Sequence, residues 1–219
     1  MIIPTVAPQG WYTGTNPRLW DYGVTWRAYR SVSPTELPAS TDDVLRALRD
    51  PNEGAEDELT RDNIVASTQA CEDDTQMAVM PQTWKLELSG FPSSGEIHVP
   101  RPPFIEVVSL AYQDGSDVTD ELAVSPVEFQ TVLGGSENKT IIRPLSGASF
   151  PSTYSRPDAV TLTYRCGFEQ TSDPRFRMLR AGIIRMATEM SQIRGLSVQG
   201  VHNTPALLDS RRFWKRWIY

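Results

Sequence analysis

The side chains of this sequence with catalytic or ligating chemistry are few and scattered. His98 stands in a strand-like run beside Val99, and His202 in a loop-like one. A lone histidine with no patterned partner reads as structural rather than as an acid, base or ligand. Cys71 and Cys166 are far apart and match no metal-site spacing; they read as buried thiols of a reducing compartment. No phosphate-binding glycine loop, H-E-x-x-H, G-x-S-x-G or cysteine-pair motif is present, and Gly134-Gly135 suits a hairpin loop. The consecutive acids Glu72, Asp73 and Asp74 point in different directions on a helix, so a solvated face is expected rather than a metal cluster. DGSDVTDE, residues 114 to 121, lacks the spacing and closing Glu of a calcium loop and reads as a polar turn. The expectation is a protein that is not an enzyme, with no catalytic residues, metal or cofactor.

The strongest chemical signal is instead an uneven spread of charge and aromatic rings. The formal net charge is -6. From Pro174 onward, nine Lys and Arg stand against Glu189 and Asp209, a local balance of +7 that leaves -13 on the rest. The chain closes on Arg211, Arg212, Phe213, Trp214, Lys215, Arg216, Trp217, Ile218 and Tyr219: cations and aromatics with no acid. Such asymmetry suggests a docking arm for an acidic surface, either nucleic acid or protein. The other aromatic concentration is near the start, with Trp11, Tyr12, Trp20 and Trp26. Trp, Tyr and Arg dominate protein–protein hot spots, so these residues are expected either to contact a neighbour or to fold back onto the chain's own core.

These signals must be carried by identifiable elements. Residues 1 to 38, interrupted by Pro4, Pro8, Pro17, Pro34 and Pro38, read as an irregular aromatic-rich arm. Residues 39 to 80 read as helical. Ser40-Thr41-Asp42-Asp43 starts a helix with acids in its first turn. A second helix is expected from about Glu56 to Val79, with Leu59, Ala66, Ala70 and Met77 near one face and Asn63 interrupting it. Between 81 and 170 the period changes to two: TWKLELSGF, EIHV, RPPFIEVVSLAYQ, VEFQTVLGG, KTIIRPL and AVTLTYRCGF give five or six strands joined by turns. Residues 171 to 195 return to helix, with Ser172-Asp173 as cap, Pro174 in the first turn, and a stripe of Phe176, Leu179, Ile183, Met186, Ala187, Met190 and Ile193. Residues 196 to 219 form the tail. The fold class is α+β: helical bundle elements with an inserted, mostly antiparallel β region and extended N- and C-terminal arms. No apolar run reaches the roughly 20 residues of a membrane span, and MIIPTVAPQG has no features of a secretory leader.

An ordered series of motifs in this frame resembles the head–tail connector (adaptor) proteins of long-tailed bacteriophages, prophages and gene transfer agents. It comprises Glu72-x-x-Thr75, Gln82-x-Trp84, Gly90-Phe91-Pro92 and Glu96 through Pro100-Arg101-Pro102-Pro103. Arg143-Pro144, Phe150-Pro151, Arg156-Pro157 and Cys166-Gly167-Phe168 complete it. The resemblance covers residues 56 to 219. It departs at Gln76, where the family carries glycine, so the turn out of the second helix is expected to differ.

The resemblance implies a structural protein of the virion neck, assembled in the host bacterial cytoplasm. Family members form a ring, typically of twelve copies, under the portal protein, and they extend the DNA channel toward a stopper or tail-terminator protein. On that reading Arg211 to Tyr219 dock into the portal, and DNA passes the acidic body without sequence-specific binding. No membrane is involved. The alternatives are a tail-completion or stopper protein of the same neck and a nucleic-acid-binding protein that uses the basic tail.

Overall fold

The computed structural model describes residues 24–48, 57–114, 119–122, 129–134, 139–154 and 156–192. They form two compact units, one from residues 24–33 with Gln82–Cys166, the other from Pro34–Pro81 with residues 167–192. The class is α+β, and every strand pair observed is antiparallel.

The β unit holds two sheets. The larger has the order β1-β2-β8-β4-β5, from Trp26–Val32, Gln82–Leu88, Val160–Cys166, Phe104–Gln113 and Thr119–Leu122. The smaller has the order β3-β7-β6, from Ile97–Val99, Lys139–Pro144 and Phe129–Gly134. Period-two patterning decides which face of the large sheet is dry. Trp84, Leu86 and Leu88 of β2 lie opposite Tyr164, Leu162 and Val160 of β8, and all six are buried. Each such side chain contributes about 1.5–3 kcal/mol by leaving water. The opposite face carries Lys85, Thr161, Thr163 and Arg165; there Glu87 accepts a 2.8 Å hydrogen bond from Tyr29 Oη and pairs with Arg27, and Arg165 pairs with Glu106.

Two strands depart from the sequence expectation. Trp26–Val32, placed in an irregular arm by its flanking prolines, is the edge strand β1, in register with β2 from Trp26↔Leu88 to Arg30↔Trp84. Thr119–Leu122, expected within a polar turn, is β5, whose backbone completes a ladder with β4 from Gln113↔Thr119 to Leu110↔Leu122. Backbone pairing overrides the weak strand preference of Thr-Asp-Glu-Leu.

The helical unit contains α1 (Thr41–Leu48), α2 (Asp57–Thr75) and α3 (Pro174–Gln192). A reciprocal cap starts α1. Asp43 N donates to Ser40 Oγ at 3.2 Å, while Asp43 Oδ2 accepts from Ser40 N at 2.9 Å and from Ser40 Oγ at 2.7 Å. The same carboxylate meets Arg180 Nη2 of α3 at 2.7 Å. Burial opposes ionisation of Asp43, but the Ser40 and Arg180 hydrogen bonds outweigh it and hold the carboxyl below its ordinary range. Asp173 caps α3: its carboxylate accepts from Arg175 N at 2.8 Å and from the Arg175 guanidinium. The Arg175 hydrogen bonds depress the Asp173 carboxyl.

The core of this unit gathers Val44, Ile64, Cys71, Met77, Val79, Phe168, Phe176, Leu179 and Ile183. The α3 stripe is legible in the sequence, and Phe176, Leu179, Ile183, Met186 and Ala187 are all buried. The α2 face differs. Leu59 is 51% exposed, whereas Thr60, Asn63, Ser67, Thr68 and Glu72 are buried. This seam is polar: Asn63 Nδ2 donates to Ser191 Oγ at 2.9 Å, and Ser67 Oγ lies 3.5 Å from Met190 Sδ.

Candidate interaction surface

No catalytic arrangement assembles among the described residues. No group of three or more His, Cys, Asp or Glu there is placed to hold a metal ion. His98 Nε2 lies 4.0 Å from Glu96 Oε2 on the β3 side of the β unit. His202 lies outside the described residues. Cys71 and Cys166 are buried and form no disulfide. Burial, reinforced by the charges of Glu72 and Asp74, pushes the Cys71 thiol up to about 12, so it is not a nucleophile near neutral pH. An open cleft of about 450 Å³ in the β unit is lined by Phe91–Glu96 and by Arg143, Pro144 and Ala148–Pro151. Phe91 and Phe150 stack there at 4.3 Å with an interplanar angle of 10°. Among described residues, no helix is long and apolar enough to cross a membrane.

The motif residues in the described segments mostly hold the scaffold. Glu72 is not on a solvated face, as its acidic neighbours suggested; it is 2% exposed, and its Oε1 accepts from Val79 N at 2.8 Å. Thr75 Oγ1 donates to Cys71 O at 2.7 Å and accepts from Met77 N at 3.3 Å. Between them Gln76 adopts φ 55°, the left-handed conformation in which glycine is at ease, and its Nε2 donates to Asp73 O at 2.6 Å. The helix therefore stops at Thr75, short of the expected Val79.

Gly167 has φ 123°, and a Cβ there would lie 2.2 Å from Met80 O. Next to it, Phe168 N donates to Val79 O at 3.3 Å, and the Phe168 ring meets Phe176 at 6.0 Å with Arg175 5.4 Å above it. In the β unit, Arg101 is 5% exposed with φ 62°, its guanidinium 4.9 Å from the Trp84 ring centroid. Tyr164 Oη donates to Pro100 O at 3.0 Å. Arg156 closes a 2.6 Å ion pair with Asp158.

Of the residues singled out for contact, Trp26 is half-buried at the start of β1, on its own sheet. Trp11, Tyr12, Trp20 and Arg211 to Tyr219 lie outside the described residues. What the structure adds is a pair of helix faces. Leu59 and Val65 of α2 are 51% and 49% exposed, and Met178 of α3 is 37% exposed. Sequence reasoning misses them: it counts Leu59 in the inner face of α2 and gives Val65 and Met178 no role, because the buried side of α2 is polar and offers no apolar stripe to contrast with.

Solved structures share this fold. A chain in the virion of a native gene transfer agent (GTA) particle matches with TM-score 0.67 at 19% identity, over 87% of this chain and 94% of that one. A chain in the neck of an empty GTA particle computed with C6 symmetry matches with TM-score 0.64 at 19% identity, over 84% and 94%. A chain in the neck of a native GTA particle computed with C12 symmetry matches with TM-score 0.56 at 17% identity, over 84% and 93%. No protein-family model and no curated protein matches the sequence. At these identities the likeness defines the class of fold, an α+β arrangement found in chains of GTA particles.

Proposed function

We propose that this chain is a structural component of the neck of a phage-like particle, a head–tail connector (adaptor) that forms a ring under the portal. The observation that carries the reading is the fold shared over 84–87% of the chain with components of GTA particles, two of them neck structures computed with C6 and C12 symmetry.

In this role Arg211 to Tyr219 are the portal anchor. Phe213, Trp214, Trp217 and Tyr219 fill apolar pockets, and Arg211, Arg212, Lys215 and Arg216 meet acids at their rims. A weak single anchor suffices, because every contact after the first is intramolecular around a ring. The acidic remainder of the chain, at -13, repels phosphate and favours sliding of DNA through the channel over holding it.

The test is deletion of residues 205 to 219, followed by electron microscopy of particles and of the purified chain. The truncated chain is expected to fold yet fail to join heads, leaving DNA-filled or leaking heads beside complete tails. Heads joined normally to tails would overturn the anchor assignment. Normal joining in a lysate lacking the whole gene would overturn the neck role, and steeply salt-dependent nucleic-acid binding would then favour the nucleic-acid reading.

A further inference from the structure

The helical unit presents two outward faces of similar chemistry and opposite charge. On α2, the exposed Leu59 and Val65 lie beside the exposed Glu58 and Asp62. Glu58, Asp62 and Val65 fall at i, i+4 and i+7, one stripe of the helix. Neither Glu58 nor Asp62 makes an ion pair among the described residues, and the exposed Arg61 flanks the stripe. The sequence of α2 has six acids and one base, a balance of -5. On α3 the balance is reversed, with four arginines against Glu189, or +3. Arg175, Arg180 and Arg185 are engaged by Asp173, Asp43 and Glu189. Arg177 is exposed, makes no side-chain ion pair among the described residues, and stands beside the exposed Met178, one turn before the exposed Ala181.

These faces are out of reach of each other within one chain. The buried sides of α2 and α3 meet, with Asn63 bonded to Ser191, so the outer faces point away from that seam. Met178 is thirteen residues from Ser191 along α3, which is about 20 Å of helix. Each face is therefore a half-interface: exposed apolar side chains edged by unneutralised charge, acidic on one and basic on the other.

We propose that the α2 outer face of one copy docks on the α3 outer face of the next. Leu59 and Val65 pack against Met178 and Ala181, and Arg177 lies between Glu58 and Asp62. Because the two surfaces differ, the contact is heterologous; it repeats around a closed rotation to give a ring, not a two-fold dimer. The inference rests on the ring reading above and assigns its subunit contact to these residues.

Charge reversal in the full-length chain tests it, read by sedimentation and native mass spectrometry. Wild type is expected to form closed rings. Asp62→Arg alone and Arg177→Asp alone should each weaken association by at least tenfold with unchanged circular dichroism. Mixing the two single variants in equal amounts should restore rings of even copy number only, since each variant can neighbour only the other. A disulfide trap gives an independent readout. A chain with both Leu59→Cys and Met178→Cys should yield a ladder of linked copies, and a chain with either one alone should not. Wild-type rings indifferent to both reversals would overturn this contact while leaving the neck role intact. A wild-type chain that stays monomeric and gives no ladder would overturn both the contact and the self-assembled ring.

Discussion

Replacing Gly167 by alanine adds one methyl group where the structure has no room for it. The new Cβ would lie 2.2 Å from Met80 O, 2.4 Å from Met80 C and 2.7 Å from Pro81 N, all backbone atoms that no rotamer change can move. The φ of 123° adds strain for any side-chain-bearing residue, about 1–3 kcal/mol. Relief requires separating the chain at Met80 from that at Gly167 by roughly an ångström. That shift breaks the Phe168 N–Val79 O hydrogen bond, worth about 1 kcal/mol. It also disturbs the Phe168–Phe176 contact, worth about 0.5–1.5 kcal/mol. The expected loss is about 3–5 kcal/mol, a large share of the roughly 5–15 kcal/mol typical of a domain. Chemical denaturation followed by circular dichroism measures it. Gly182→Ala is the internal control: it sits in α3 with nothing within 4 Å of its added Cβ and no positive φ. There the same methyl should stabilise by about 0.5–1 kcal/mol. Equal effects at the two sites, or a loss below about 1 kcal/mol at Gly167, would refute the reasoning.

Two further outcomes follow from buried or capped groups. Asp43 and Asp173 have depressed carboxyl pKa values, so the stability they contribute is present above the ordinary carboxylate value near 4 and is lost as pH falls through the depressed values. Asp173→Asn keeps a capping oxygen but removes the charge that meets Arg175 and the helix N-terminus, so it should lower stability at pH 7 by about 0.5–1 kcal/mol and flatten the decline below pH 4; an unchanged acid limb in thermal melts would contradict this assignment. Cys71, 4% exposed with its pKa pushed up to about 12, should resist a thiol reagent at pH 8 in the native chain and react after unfolding, and prompt native labelling of Cys71 would show that its site opens.

The elements most legible in the sequence are those whose apolar period is uninterrupted. The α3 stripe and the Trp84-Leu86-Leu88 alternation both give the buried face directly. Legibility fails where polar groups are buried for hydrogen bonding. Asn63, Ser67, Thr68 and Glu72 make up much of the inner face of α2, so apolar periodicity pointed instead to Leu59, which faces outward. Glu72 reads as a surface acid until Val79 N is seen to bond to it. Gln76 gives no turn signal, because its left-handed conformation is held by the bond to Asp73 O and not by the absence of a side chain. Strand β1 escaped notice because its pairing partner is β2, more than fifty residues later. Of the aromatic contact residues, Trp26 alone lies among the described residues. The apolar ends of the two outward helix faces become visible only once the seam between α2 and α3 is known.

The order in which the strands of the large sheet occur also sets when it can be built. Its centre, β8, pairs with both β2 and β4, yet among the described strands it is the last to leave the ribosome. Before Val160–Cys166 emerges, β1 with β2 and β4 with β5 are separate two-stranded ribbons, which are marginal alone in water. The helical unit waits longer still, because α3 ends at Gln192. A chain that terminates before Val160–Cys166 thus completes neither body. Synthesis through Cys166 is the condition for completing the large sheet and synthesis through Gln192 for completing the helical unit, so fragments that stop earlier are left to proteolysis.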